Sequence, residues 1–275
     1  MKQELEQIVK PIVKWYQEQE KILPWKQDKE PYHIWISEIM LQQTRIEAVK
    51  KYYTRFMKEL PTIQHLAKVS DEKLLKLWEG LGYYNRARNL KKAAIQIEEN
   101  YKGQMPTSYA ELLNLSGIGE YTAGAIASIS YQEKVPAVDG NVLRVVSRVI
   151  ASKDDVLLPE TKKRITKKLL EIMPDESGDF NEGLMELGEK ICLPNTIPLC
   201  EKCPIQQFCI ANKEKLTNEI PVRIKKQKRK VEKRTVFIVK YKDEIAIRKR
   251  EKTGILANLY EFPNVMRRNN RRGDT

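Results

Sequence analysis

Leu115-Ser-Gly-Ile-Gly-Glu-Tyr-Thr-Ala-Gly124 sets two glycines, Gly117 and Gly119, between two stretches of helical apolar spacing. Glycine permits a tight turn and a close backbone approach. The helix that follows starts with unsatisfied amides pointing outward, and such an end receives phosphate. A bare Gly-x-Gly is weak evidence, because many helix–helix turns contain one. Reading outward from it makes the chain helical on both sides. Leu5, Ile8, Val9, Ile12, Val13 and Tyr16 recur at helical spacing within 3–16. Similar patterns cover 33–41, 45–59, 71–79, 83–99, 120–130, 140–151, 159–172 and 180–190. They are separated by turn formers such as Pro61, Gly80–Gly82, Gly103, Pro106 and Pro136. Strand-like alternation is scarce before residue 230, so 1–213 reads as an all-α domain.

Composition shifts after that. Residues 223–234 hold eight Lys or Arg and one Glu, so 214–234 reads as an exposed basic linker. Thr235–Tyr241, a turn at Lys242-Asp-Glu244, and Ile245–Arg248 then read as a β-hairpin. A hairpin alone is marginal in water, and Arg267 to Thr275 contain no apolar residue. Residues 235–275 therefore read as the start of a second, incomplete domain.

The 275 residues include 50 Lys or Arg against 37 acids, a net charge of +13. This balance favours an acidic partner, of which nucleic acid is the commonest. No apolar run approaches the ~20 residues of a membrane span. The charged, amphipathic N-terminus lacks the core of a secretion signal. The expectation is a cytoplasmic protein.

All four cysteines, Cys192, Cys200, Cys203 and Cys209, fall within 18 residues at intervals of seven, two and five. Such a cluster in a cytosolic chain points to metal rather than disulfides. Four thiolates hold a zinc ion or a [4Fe–4S] cube. Zinc ribbons pair two short knuckles, and only Cys200–Cys203 forms one, so the uneven spacing favours the cube and leaves zinc as the alternative.

Two carboxylates keep unusual company. Glu38 lies in Ile34-Trp-Ile-Ser-Glu-Ile-Met-Leu41, where a helix sets Ile34, Trp35 and Leu41 one turn away. An apolar setting disfavours the ionised form and makes a general acid near neutral pH; the competing reading is a partly exposed Glu at a helix edge. Asp139, in Val135-Pro-Ala-Val-Asp-Gly-Asn-Val142, stands just before a helix. An N-cap is a sufficient role for it. A carboxylate kept ionised by the helix start, with Asn141 beside it, is the functional one. A protonated and an ionised carboxyl together suit glycosidic cleavage through a cationic transition state.

These motifs together closely resemble the adenine DNA glycosylases of the helix-hairpin-helix superfamily with a glycine–proline/aspartate loop. The likeness covers nearly all of 1–213 and resumes at Gly254–Pro263. It is carried by Leu23-Pro-Trp25, Ser37–Thr44, Gly80–Asn89, the glycine hairpin, Val138-Asp-Gly-Asn141, Phe180-Asn-Glu182 and the cysteines. The resemblance implies two helical lobes, a [4Fe–4S] cluster in the loop 192–209, and a Nudix-like C-terminal domain of which 235–275 is a fragment. It implies that Glu38 protonates the departing adenine, that Asp139, supported by Asn141, stabilises the sugar cation, and that Tyr121 lines the cation's other side. It places Trp25, Lys26 and Glu182 in the adenine pocket. It places Gln43, Thr44, Leu81, Tyr83 and Arg86 beside the opposite 8-oxoguanine, with Gly117 and Gly119 at the DNA backbone. A base cut from a duplex must leave the stack, so a wedge and a pocket are physical requirements. The implied partner is double-stranded DNA with an A·8-oxoguanine or A·G mispair, bound by a monomer without a membrane.

The related lyase branch carries a lysine where Tyr121 stands, and tyrosine forms no imine, so the expected enzyme is monofunctional. The chain departs from the family in the seven-residue first cysteine gap, where six is usual. It also has Lys26 where arginine is usual, which keeps the charge but loses the bidentate fork. His33 and His65 lie in ordinary contexts, and Tyr52–Tyr53 reads as core. The rival functions are a related glycosylase acting on thymine, uracil or oxidised pyrimidines, and a non-catalytic DNA-binding paralogue.

Overall fold

The computed structural model describes residues 2–224, 231–251, 253–254 and 256–266, with side chains from residue 5 onward. Two compact units emerge, Met1–Ile224 and Lys225–Thr275.

The first unit is helical. Its helices are α1 (Lys2–Gln17), α2 (Pro31–Leu41), α3 (Ile46–Glu59), α4 (Ile63–Lys68), α5 (Asp71–Leu77), α6 (Asn85–Tyr101), α7 (Tyr109–Leu112), α8 (Glu120–Tyr131), α9 (Gly140–Val149), α10 (Pro159–Leu170), α11 (Ser177–Lys190) and α12 (Ile210–Lys213). Their starts follow local chemistry. Pro31 and Pro159 occupy first turns, where no amide is needed. Thr62, Ser70, Ser108 and Asp139 accept a bond from an amide three residues on. The short α4 and α7 escaped the periodicity reading because one or two turns give too few repeats to register.

Two hydrophobic cores make two lobes. One is built from α2 to α8, around Trp35, Phe56, Trp78 and Leu90. The other joins α1 to α9, α10 and α11, around Ile8, Ile12, Val146, Phe180 and Leu184. The N-terminal helix thus belongs to the second lobe, and the chain crosses to the first and back. The two-lobed all-α expectation holds. Helix α11 packs on α1, α8 and α9 and so bridges the lobes.

The helical unit runs past residue 213. Ile220 is buried, its carbonyl accepts from Arg148 Nε at 2.8 Å, and Val156 N donates to Val222 O at 3.1 Å. Of the basic segment 223–234, residues 225–230 lie outside the described residues. Among the described residues no helix is long and apolar enough to cross a membrane.

Among its described residues the second unit contains three short antiparallel pairs. Lys240–Tyr241 pairs with Glu244–Ile245 across a turn, at the place where the hairpin was expected. Arg234–Val236 instead pairs with Asn264–Met266, and Arg248–Lys249 with Tyr260–Glu261. Alternation marks a strand but says nothing about a partner 30 residues away. Val236, Ile238, Val239, Ile245 and Ile247 are all exposed.

Candidate active site

The expected carboxylates meet where the lobes join. Glu38 lies in the middle of α2 and is only 9% exposed, which rules out the helix-edge reading. Its Oε2 accepts from Tyr121 Oη at 2.5 Å. Tyr121 sits in the first turn of α8, immediately after the glycine turn, and its hydroxyl also lies 3.1 Å from Met185 Sδ on α11. Burial pushes the Glu38 carboxyl up to about 7. The charges of Glu182 and Asp139 push the same way, against the Tyr121 hydrogen bond and Lys26. Tyr121 stays protonated, since burial and the charges of Glu38 and Asp139 raise it well above 10.

Asp139 caps α9. Its Oδ1 accepts from Val142 N at 2.8 Å and its Oδ2 from Asn141 Nδ2 at 2.9 Å. The helix start alone would keep this group ionised. Burial opposes that and raises its pKa, while the bonds from Val142 and Asn141 and the nearby Arg144 pull it back. Arg144 extends the chain of contacts, donating to Asn141 Oδ1 at 2.9 Å, Gly188 O at 2.6 Å and Cys192 O at 2.7 Å. The loop entering Asp139 is fixed by Asn181, which accepts from Ala137 N at 3.0 Å and donates to Val135 O at 2.9 Å.

Lys26 faces the same region. Its ammonium lies 2.6 Å from Glu186 Oε2 and 3.7 Å from Glu182 Oε1. Glu186 also accepts from Lys190 at 2.5 Å. Burial raises the Glu186 carboxyl, but Lys26 and Lys190 outweigh it and hold it below the usual range. Burial and the nearby Glu182 carboxylate raise the hydroxyl of Tyr16, from α1, well above its ordinary value. Glu186, Met185 and Tyr16 were not singled out from sequence. The available signal was the spacing of Glu182, Met185 and Glu186 at i, i+3 and i+4, which stacks them on one face of α11. Trp25 does not join the carboxylates by any bond; its ring packs edge-on against Tyr53, 5.4 Å between centroids, in the first core.

A second group gathers at the C-terminal end of α2. Arg86 from α6 donates to the carbonyls of Ile39, Met40, Gln42, Leu81 and Gly82 and to Thr44 Oγ1. Gln43 and Tyr83 flank these acceptors. Leu81 is buried, whereas Tyr83 is exposed. The glycine turn is a third feature. Gly117 has φ +77°, and a Cβ there would sit 2.6 Å from Asn89 Cβ. Gly119 opens α8 with no side chain capping its amides.

The four cysteines are free thiols that line one cavity with Arg148, Val145, Leu187 and Ile205. Arg148 donates to Cys192 Sγ at 3.2 Å. Burial pushes Cys203 to about 12 and raises Cys200 and Cys209. A buried set of this kind becomes thiolate only beside strong positive charge, which bound metal supplies. The donor set therefore fits a thiolate-ligated metal group. Among the described residues no three His, Cys, Asp or Glu side chains converge on a single-ion position.

Chemically, the site offers a carboxyl that holds its proton to near neutrality beside a second, hydrogen-bonded carboxyl. Such a pair can protonate a leaving group and stabilise a cation. Residues 36–175 match the HhH-GPD superfamily base excision DNA repair protein family. The chain is 40% identical over 260 residues to the adenine DNA glycosylase of Buchnera aphidicola subsp. Schizaphis graminum, covering 92% of this chain and 73% of that protein. It is 42% identical over 213 residues to the Mus musculus adenine DNA glycosylase, covering 73% of this chain and 41% of the mouse protein. Among solved structures it resembles a thermostable thymine-DNA glycosylase, with TM-score 0.68 and 27% identity over 77% of this chain and 98% of that one. It also resembles an endonuclease III in a non-covalent DNA complex, with TM-score 0.65 and 25% identity over 78% of this chain and 98% of that one.

Proposed function

The chain belongs to the HhH-GPD superfamily of base excision DNA repair proteins, and we infer that it is a monofunctional enzyme hydrolysing the N-glycosidic bond of adenine mispaired with 8-oxoguanine or guanine in duplex DNA. The observation that carries this reading is the Glu38–Tyr121 hydrogen bond, buried at the lobe junction with Asp139 close enough to raise both groups.

The residues divide the work as follows. Glu38 holds the proton that the departing adenine takes. Tyr121 fixes that carboxyl and lines the sugar. Asp139, oriented by its own amide bond and by Asn141, supplies negative charge to the cation formed as the bond breaks. Glu182 and Lys26 lie in the adenine pocket, with Glu186 anchoring Lys26; Trp25 backs the pocket from the first core. Gln43, Thr44, Leu81, Tyr83 and Arg86 form the region of the opposite base, and Gly117 and Gly119 the phosphate grip. Tyr121 provides no amine for an imine, which supports hydrolysis without strand cleavage.

Cys192, Cys200, Cys203 and Cys209 would hold a [4Fe–4S] cluster. When bound, that group supplies the positive charge that keeps the buried thiolates ionised and ties the loop 192–209 to α9. The second unit, Lys225–Thr275, is read as part of a Nudix-like domain. The protein is read as cytoplasmic and monomeric.

The deciding experiment is a single-turnover assay on A·8-oxoguanine, A·G and A·T duplexes, with G·T and G·U as controls. Adenine release confined to the first two is expected. Thymine or uracil release transfers the chain to the related branch, and tight binding without release makes it a non-catalytic module.

A further inference from the structure

Arg86 carries a full positive charge, yet every bond it makes goes to a neutral oxygen. Nη1 donates to the carbonyls of Ile39 at 2.8 Å, Met40 at 3.1 Å and Gln42 at 2.7 Å. Nη2 reaches Leu81 O at 3.2 Å, Gly82 O at 3.4 Å and Thr44 Oγ1 at 3.4 Å. Its Nε is buried without a partner. The guanidinium is flanked by the rings of Trp78 and Tyr83, at 5.5 and 5.4 Å from their centroids. Both terminal nitrogens are thus engaged, and the one donor without an acceptor, Nε, is buried away from a base or phosphate.

The oxygens come from two chain segments far apart in sequence. One is the C-terminal end of α2, whose orphan carbonyls attract a cation. The other is the turn between α5 and α6. In each, the residue directly after a bound carbonyl is a non-glycine in the left-handed region. Gln43 has φ +58° after Gln42 O, and Tyr83 has φ +49° after Gly82 O. Such conformations are strained and persist only where the surroundings over-determine them. Both residues belong to the set placed beside the opposite base.

We propose that Arg86 is a positioning residue that staples the two left-handed turns at Gln43 and Tyr83 into one rigid jaw before DNA arrives, and so sets opposite-base discrimination without touching DNA. The link to discrimination rests on the function proposed above; the staple itself does not.

The test compares wild type with Arg86→Lys, which keeps the charge but has three donors for six acceptors. Hydrogen–deuterium exchange on DNA-free protein reads the staple. The amides of Thr44, Leu81 and Arg86 are bonded to Leu41, Trp78 and Tyr83 carbonyls, so peptides over 42–44 and 81–86 are expected to exchange slowly in wild type. In the variant they exchange at least about tenfold faster, while α9 and α11 do not change. Random-coil exchange of these peptides in wild type overturns the proposal even if the variant fails to fold.

Single-turnover rates read the consequence. The ratio for A·8-oxoguanine over A·G is expected to fall by roughly tenfold to a hundredfold, the scale an ångström of misplacement costs. The pH midpoint set by Glu38 and the salt dependence of DNA binding stay as in wild type. A salt slope lower by about one would make Arg86 a phosphate contact, and an equal loss on both duplexes would make it an ordinary packing residue; either result overturns the proposal. A wild type with no preference between the mispairs would overturn the discrimination role, whereas one that releases adenine from neither would instead sink the proposed function and leave the exchange result to judge the staple.

Discussion

At the residue scale Glu38 decides the chemistry. Its burial makes it an acid to about pH 7, so the single-turnover rate should hold level below that pH and decline above it. Glu38→Gln keeps the shape and removes the transferable proton. Adenine release should fall by at least about a hundredfold, the lower range of general-acid assistance, with duplex affinity nearly intact. The same substitution should affect stability with a definite sign. The folded-state pKa lies above the ordinary 4.5, so the folded protein holds a proton that the unfolded chain gives up, and stability is lost as pH rises toward and through 7. Glu38→Gln should therefore raise the melting temperature at pH 8 and change it little at pH 5. A near-normal cleavage rate in this variant would reduce Glu38 to a buried structural acid. Asp139→Asn retains an oxygen that can cap α9 but loses the charge facing the sugar. It should cost about a hundredfold or more in rate, with little change in melting. A rate and a melting temperature both unchanged in this variant would make Asp139 a cap and nothing else.

At the scale of elements, helix starts and ends place the chemistry. Asp139 is both the cap of α9 and a member of the site, and α11 comes close enough to support it because Gly188 has no side chain. A Cβ at Gly188 would stand 2.7 Å from Asn141 Cβ and 3.2 Å from its Cα. Gly188→Ala should destabilise by about 1–3 kcal/mol, the usual cost of overpacking. It should also lower the rate per folded molecule by pushing Asn141 away from Asp139, as paired thermal melts and single-turnover assays would register. A melting loss with an unchanged rate would show that the Asn141 bond is dispensable. This is also where sequence reading reached its limit. The long helices were legible because their apolar repeats run for several turns. Glu38 was legible as a candidate acid but not as buried, because Ile34 and Trp35 one turn away fit a partly exposed Glu at a helix edge equally well. The direction of the Asp139 shift was not, because the helix start was visible in sequence while the lobe that closes over the carboxyl was not. Glu186 was hidden for a related reason: an acid on an amphipathic helix reads as solvated until Lys26, 160 residues earlier, is seen to reach it. The six oxygens around Arg86 were hidden too, because they come from two segments that only the fold brings together.

For the whole molecule, charge and metal govern behaviour. Anaerobically purified protein should be brown and carry ~4 iron atoms per chain; stoichiometric zinc without iron would refute the cluster. Removal of the metal should loosen the second lobe more than the first, since Cys192 and Cys203 pack against the second lobe's core, and exchange rates across α9 and α11 would report it. Binding to undamaged duplex should weaken steeply with added salt as counterion release is suppressed, given the net charge of +13. A flat response would remove the phosphate-contact argument.

The turn at Gly117–Gly119 leads straight into Tyr121, so the proposed grip on phosphate and the residue bonded to Glu38 are two positions apart on one rigid helix start. That arrangement is a ruler. Successive phosphates of a strand advance ~3.4 Å along the helix axis, and a slip of one places a different nucleotide against a pocket that does not stretch to follow it. A sliding protein would thus carry its acid past intact duplex without reacting, and cleavage would wait for a nucleotide that swings out at the one fixed distance from the gripped phosphate.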